Sequence, residues 1–164
     1  MRDLVAGIIA VALLLIALSL ATTLHFFRRR RMRAREAERE MGRTVIAEIP
    51  AAEDLVLFSE DPGSFHYGRQ VIRKDSIAAA RVLINGIPIA AVISRRHKDA
   101  AALHPTSFQD HPEGIARDRW DVAIETTEGT VLVECGAIRE RVSQELARAV
   151  FDAVKLSVDE HGRL

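Results

Sequence analysis

Trp120-Asp121-Val122-Ala123-Ile124-Glu125-Thr126-Thr127-Glu128-Gly129-Thr130-Val131-Leu132-Val133-Glu134 is the stretch that decides the fold. Polar and apolar residues alternate from Trp120 to Thr126, the chain turns at Glu128-Gly129, and Thr130 to Glu134 returns. Period-two alternation on both sides of a turn predicts an antiparallel hairpin with one apolar and one wet face. Glu125, Glu128 and Glu134 are assigned to the wet face rather than to an acid–base pair. Downstream, Ile138, Val142, Leu146, Ala149, Val150, Ala153 and Val154 recur at helical spacing. They predict an amphipathic helix that ends before Gly162 and covers one face of the preceding sheet.

Similar signals lie upstream. Thr44 to Ile49 is β-rich and stops at Pro50; Asp54 to Ser59 is a second strand, closed by the turn Asp61-Pro62-Gly63-Ser64; Phe65 to Ile72 reads as a third. Ser76 to Ile84 admits two readings. Ser76 can cap a short helix through Ala78-Ala79-Ala80, or Arg81 to Ile84 and Ile87 to Ile93 can pair around Asn85-Gly86. Asn-Gly between β-branched runs favours the hairpin and places Pro88 on a sheet edge. Several strands followed by one helix define an α+β domain over residues 44–164, long enough for a single core.

Residues 95–118 form a long polar stretch with Pro105, Pro112 and Gly114, and a short helix fits within Lys98 to Leu103. Long loops on rigid scaffolds carry contacts, so Arg95, Arg96 and Lys98 are the candidate partner-binding residues. His97, His104 and His111 recur every seven residues beside Asp99 and Asp110. The spacing matches no defensible ligand pair, and no metal or other cofactor is expected.

Before this domain, Leu4 to Phe27 contains no Asp, Glu, Lys or Arg. Its 24 residues exceed the roughly 20 needed to span a bilayer core. Arg28, Arg29, Arg30, Arg31, Arg33 and Arg35 follow at once, whereas only Arg2 and Asp3 stand before it. Cations stay on the cytoplasmic side, so the expected topology is N-terminus outside and domain inside, at the inner membrane. Ser19-Leu20-Ala21 offers a small-x-small cleavage site, but the run is longer than a signal core and its lead is barely cationic. The expected organisation is an anchor over 1–27, a basic helical stalk over 28–43 and a cytoplasmic domain over 44–164. Arg35–Glu38 and Glu36–Arg39 neighbours support the stalk, and Gly42 stops it.

The formal net charge of zero hides an asymmetry: +5 over residues 28–43 and −5 over residues 44–164. The six arginines are the expected membrane-surface contact. The acidic domain lacks the basic face that nucleic acid needs. There is no Gly-x-x-x-x-Gly-Lys-Ser/Thr, no Gly-x-Gly-x-x-Gly and no Gly-x-Ser-x-Gly, and the single cysteine, Cys135, follows a strand-like run as a buried thiol would.

Two pieces carry a resemblance: His66-Tyr67-Gly68-Arg69-Gln70-Val71-Ile72-Arg73-Lys74-Asp75-Ser76-Ile77, and Val122 to Val133 followed by the closing helix. Together they resemble the bacterial pleckstrin-homology-like domains found on membrane proteins. That resemblance implies a bent antiparallel barrel plugged by the C-terminal helix, used for binding and not catalysis. Residues 44–68 contain no Lys or Arg, which disfavours phosphoinositide binding in the first hairpin. The expected function is therefore non-enzymatic: an anchored domain that binds or scaffolds a protein partner at the membrane. The alternatives are an anionic-lipid sensor, or an enzyme with its site in the 95–118 loop.

Overall fold

The computed structural model describes residues 2–51, 55–96 and 118–161, in two compact units that divide between Met41 and Gly42. The first unit is one helix, α1, Arg2–Glu40. Leu14, Leu18, Leu20 and Leu24 are all at least 60% exposed, so its middle is apolar on every side. The Thr22 and Thr23 hydroxyls donate to the Ser19 carbonyl, each at 2.8 Å, and so cost the apolar stretch nothing. The helix is long and apolar enough to cross a membrane, a property it shares with signal sequences. It runs unbroken through the arginines. Met41 N–H still donates to Ala37 O, and Gly42 then takes a φ of +73°, the left-handed conformation that ends helices.

Among the described residues, the second unit has eight strands and a helix. Sheet A contains β1 (Thr44–Pro50), β2 (Leu55–Glu60), β3 (Ser64–Tyr67) and β4 (Gln70–Arg73) as a simple meander. Sheet B contains β5 (Ile77–Ile84), β6 (Ile87–Ile93), β7 (Arg119–Thr126) and β8 (Gly129–Ala137) in the order β6-β5-β7-β8. All pairings are antiparallel. Helix α2 spans Arg141–His161. A 3-10 turn at Lys74–Ser76 carries the chain from one sheet to the other. Ser76 Oγ donates to Arg73 O, Arg73 pairs with Asp75 at 2.6 Å, and Lys74 Nζ lies 4.9 Å over the Phe65 ring.

The expected hairpin around Asn85-Gly86 is present, with φ of +53° and +81° at the two turn residues, as a type I′ turn requires. Phe65 to Ile72 is not one strand. Gly68, with φ +59°, folds it into the β3–β4 hairpin, in which Tyr67 faces Gln70. The described strands form two open sheets instead of the expected barrel. β1 and β8 lie near each other without forming a ladder. A bulge between Val45 and Ala47, and Pro50 without an N–H, interrupt the regular spacing of donors along β1.

Both sheets and α2 share one core: Ala47, Ile49, Phe58, Phe65 and Ile72 from sheet A, Ala80, Val82, Val122, Ile124, Val133 and Cys135 from sheet B, and Ala147, Val150, Val154 and Val158 from α2. The buried helical face is the expected one at Val150 and Val154, with Leu146 and Ala153 packed against the core, and departs from it in the first turn. Ser143 is 2% exposed and Val142 is 60% exposed. Gly136 accounts for the first turn: a Cβ there would stand 2.6 Å from Ser143 Oγ, so only glycine lets the start of α2 lie this close to β8.

The Asp61-Pro62-Gly63-Ser64 turn is held by its first residue. Asp61 Oδ1 accepts from Gly63 N at 2.8 Å and Ser64 N at 2.7 Å, and Oδ2 lies 2.7 Å from His66 Nε2. The His66 bond, then the Gly63 amide, lowers the Asp61 pKa below its ordinary 3.8. Because the folded value is the depressed one, this stabilisation is full above the ordinary value and is lost as pH falls through the folded value. Asp61→Asn should cost about 1–2 kcal/mol at neutral pH. Its acid unfolding curve should also be flatter than the wild type's in the range below 3.8. Parallel curves would show that the carboxylate makes no such contribution.

Candidate protein-binding edge

β6 is Ile87-Pro88-Ile89-Ala90-Ala91-Val92-Ile93, and among the described strands it pairs only with β5. Three strands besides β6 have a single ladder partner, and each carries a charge: Glu48 on β1, Arg73 on β4 and Glu134 on β8. β6 carries none, and Ile87, Ile89 and Ile93 are 67%, 54% and 52% exposed. Charges and prolines are the usual means by which edge strands are kept from pairing with other chains. Here Pro88 does so at the start of the strand, opposite Leu83, next to a bulge at Ile89, and the regular, uncharged edge runs from Ala90 to Ile93.

The backbone direction follows from the ladder. Ser94 N donates to Ala78 O at 2.8 Å, so Ser94 turns its polar groups toward β5. Alternation then gives Val92 the same direction, opposite Ala80, while Ala91 and Ile93 turn theirs outward. The strand leads directly into Arg95 and Arg96, both exposed. Of the expected loop contacts these two are therefore placed, at the end of β6. Lys98 lies outside the described residues, as do His97, His104, His111, Asp99, Asp110 and the short helix expected after Lys98. Among the described residues no group of three His, Cys, Asp or Glu side chains is arranged to hold a metal ion.

The face of sheet B turned away from the core carries a second polar feature. Arg81 Nη1 lies 2.9 Å from Glu125 Oε1, with side chains 14% and 6% exposed. Arg119 reaches Asp121 Oδ1 at 2.7 Å through Nε and Glu134 Oε2 at 2.9 Å through Nη1. Glu125 is thus not a wet-face residue; it is 5% exposed, and its Oε2 makes no hydrogen bond. The alternation of β7 is real, but β5 and β8 flank it on both sides and Arg81 comes from β5. Glu128, in the turn, and Glu134 remain exposed. The pairing had a legible signal: Arg119, Asp121 and Glu125 share one parity. What was missing was that β7 pairs with β5.

Cys135 is fully buried, and burial, with Asp121 nearby, pushes its thiol up to about 12. A thiolate is the reactive form, so this residue is held inert at neutral pH. A maleimide should label the folded chain no faster than it unfolds, and labelling in denaturant should be rapid. Fast labelling of the native chain would place Cys135 at the surface.

On α1, Arg28, Arg29, Arg30, Arg31 and Arg33 are exposed and Arg35 is half-exposed. Consecutive helical residues step around the axis at 3.6 per turn, so Arg28–Arg31 ring the helix instead of marking one side. Comparison with protein-family models, with curated proteins and with solved structures finds no match to this chain.

Proposed function

We propose that the chain is a non-enzymatic, single-pass protein of the inner membrane, N-terminus outside, whose pleckstrin-homology-like domain recruits a protein partner in the cytoplasm. The partner adds an extended segment to the free edge of β6. The observation that carries this is the uncharged, exposed edge itself, with outward backbone groups at Ala91 and Ile93 and cations at its end. Strand addition draws affinity from main-chain hydrogen bonds and specificity from the alternate side chains. The two antiparallel sheets and closing helix support the pleckstrin-homology-like assignment, and the arginine ring supports cytoplasmic placement of the domain.

Two experiments test it. Reporters fused after Leu164, one active only in the cytoplasm and one only outside it, should give signal from the first alone; external signal overturns the orientation. A photo-crosslinking residue at Ile89 in the membrane-borne chain should form protein adducts. The same probe at Val71, equally exposed on the charged strand β4, should not. Adducts from neither position, or equally from both, overturn recruitment through β6.

A further inference from the structure

We infer that the segment added to β6 is an extended, apolar stretch of a protein with carboxylates at its N-terminal flank, laid antiparallel to β6 so that those carboxylates meet Arg95 and Arg96. This rests on the strand-addition function proposed above and states the chemistry of the partner.

The free edge is short. Its regular part runs from Ala90 to Ile93, where only Ala91 and Ile93 turn an N–H and a C=O outward. So few main-chain bonds do not offset the freedom lost on association, and the partner's side chains must supply the rest. Both faces of the edge offer apolar contact. On one side Ala90 and Val92 pack against the core. On the other Ala91 is exposed and Ile93 is 52% exposed. A partner residue on either side therefore meets hydrocarbon, which β-branched side chains cover.

Charge sets the flank. From Val82 to Ser94 there is no Asp, Glu, Lys or Arg, and then two arginines stand together. Ser94 N still donates to Ala78 O at 2.8 Å, so the bonding with β5 holds the chain up to the residue before Arg95. Both arginines are exposed, and among the described residues neither makes an ion pair. The arginines within sheet B differ: Arg81 is held by Glu125, and Arg119 by Asp121 and Glu134. Glu128, in the β7–β8 turn at the same end of the sheet, stands at least two strand spacings from β6, about 10 Å. Residues 44–164 sum to −5, so the arginine pair is a local exception that can orient an anionic segment. Direction follows from the ladder. Every pairing in sheet B is antiparallel, and an added antiparallel strand closes both outward bonds of Ala91, and both of Ile93, on one opposite residue each. In that direction the partner residues nearest Arg95 and Arg96 are those that precede its apolar stretch.

The test uses the full-length chain in detergent and fluorescent peptides of alternating valine and threonine. The stretch carries two glutamates before it, two glutamates after it, two lysines before it, or no charge. Anisotropy should rank the peptide with leading glutamates tightest. Arg95→Glu with Arg96→Glu should weaken that peptide about tenfold, strengthen the one with leading lysines and leave the uncharged one unchanged. Lysine at both positions should retain the ranking. Ala91→Pro removes an outward N–H at an edge, where proline is tolerated. It should abolish binding of every peptide without lowering the thermal midpoint of the domain. Equal binding of all four peptides overturns the acidic flank, and preference for trailing glutamates overturns the direction. Binding of none, or binding that survives Ala91→Pro, overturns the strand-forming partner. The probe at Ile89 separates these failures from that of recruitment itself. Protein adducts lost in the chain with Arg95→Glu and Arg96→Glu support the acidic flank. Adducts that persist in that chain retain recruitment through β6 and overturn the flank, and no adducts from the wild-type sequence around the probe remove both.

Discussion

Glu125→Ala should destabilise the domain by about 3–5 kcal/mol, because it breaks a buried ion pair, removing the carboxylate 2.9 Å from the Arg81 guanidinium. Arg81 and Glu125 are 14% and 6% exposed and 2.9 Å apart, so neither charge recovers its hydration when the other is removed. The pair is not itself a large source of stability. Its desolvation offsets most of its attraction, and Glu125 Oε2 has no hydrogen bond to reduce that cost. The companion variant, Arg81→Met with Glu125→Leu, should therefore recover most of the loss. Urea unfolding followed by the single tryptophan, Trp120 near the start of β7, measures both variants in detergent. A single-variant loss below about 1 kcal/mol, typical of an exposed pair, would show that this face of sheet B is wet.

Phe58→Ala should cost as much, about 3–5 kcal/mol, by a different mechanism. Phe58 is 0% exposed, its ring stacks on Phe65 at 5.5 Å and it tilts against Tyr67 at 6.4 Å. Truncation removes both ring contacts and leaves a cavity between two β-sheets, which collapse less readily than a helix end. Domains are stable by about 5–15 kcal/mol in total, so the variant should be close to unfolded at room temperature. Phe58→Leu should lose distinctly less. Equal losses for Ala and Leu would mean that the ring faces, and not the filled volume, hold the three aromatics together.

The elements encoded within a few neighbouring residues were legible, and those set by distant pairing were not. Asn85-Gly86 and the Glu128-Gly129 turn each specify a hairpin from two residues, and both hairpins are present. The Gly68-Arg69 turn was hidden because one glycine among the strand-favouring Phe65, Tyr67, Val71 and Ile72 reads as part of a continuous strand. The burial of Glu125 depends on β5, whose sequence lies more than forty residues earlier, and on a register that no local pattern states. The burial of Ser143 in place of Val142 in the first turn of α2 depends on Gly136 lying against Ser143, a contact across the β8–α2 corner. Of the proposed site, Arg95 and Arg96 were picked out from the sequence as cations at the start of a long loop. β6 itself was read as half of a hairpin, and its single-sided pairing emerged only from the strand order β6-β5-β7-β8.

That strand order also has a kinetic consequence. Sheet A forms from strands that follow one another, so its pairing needs only short closures. Sheet B must bring Trp120 to Ile84 and Ile124 to Ala80, closing a far longer loop before any reward in pairing. During synthesis the β5–β6 ribbon emerges first and waits, with the inner edge of β5 as open as the outer edge of β6. The arrival of β7 is then the slow step of folding. Until it occurs, the ribbon presents two open edges instead of one, and β7 closes only the inner of them.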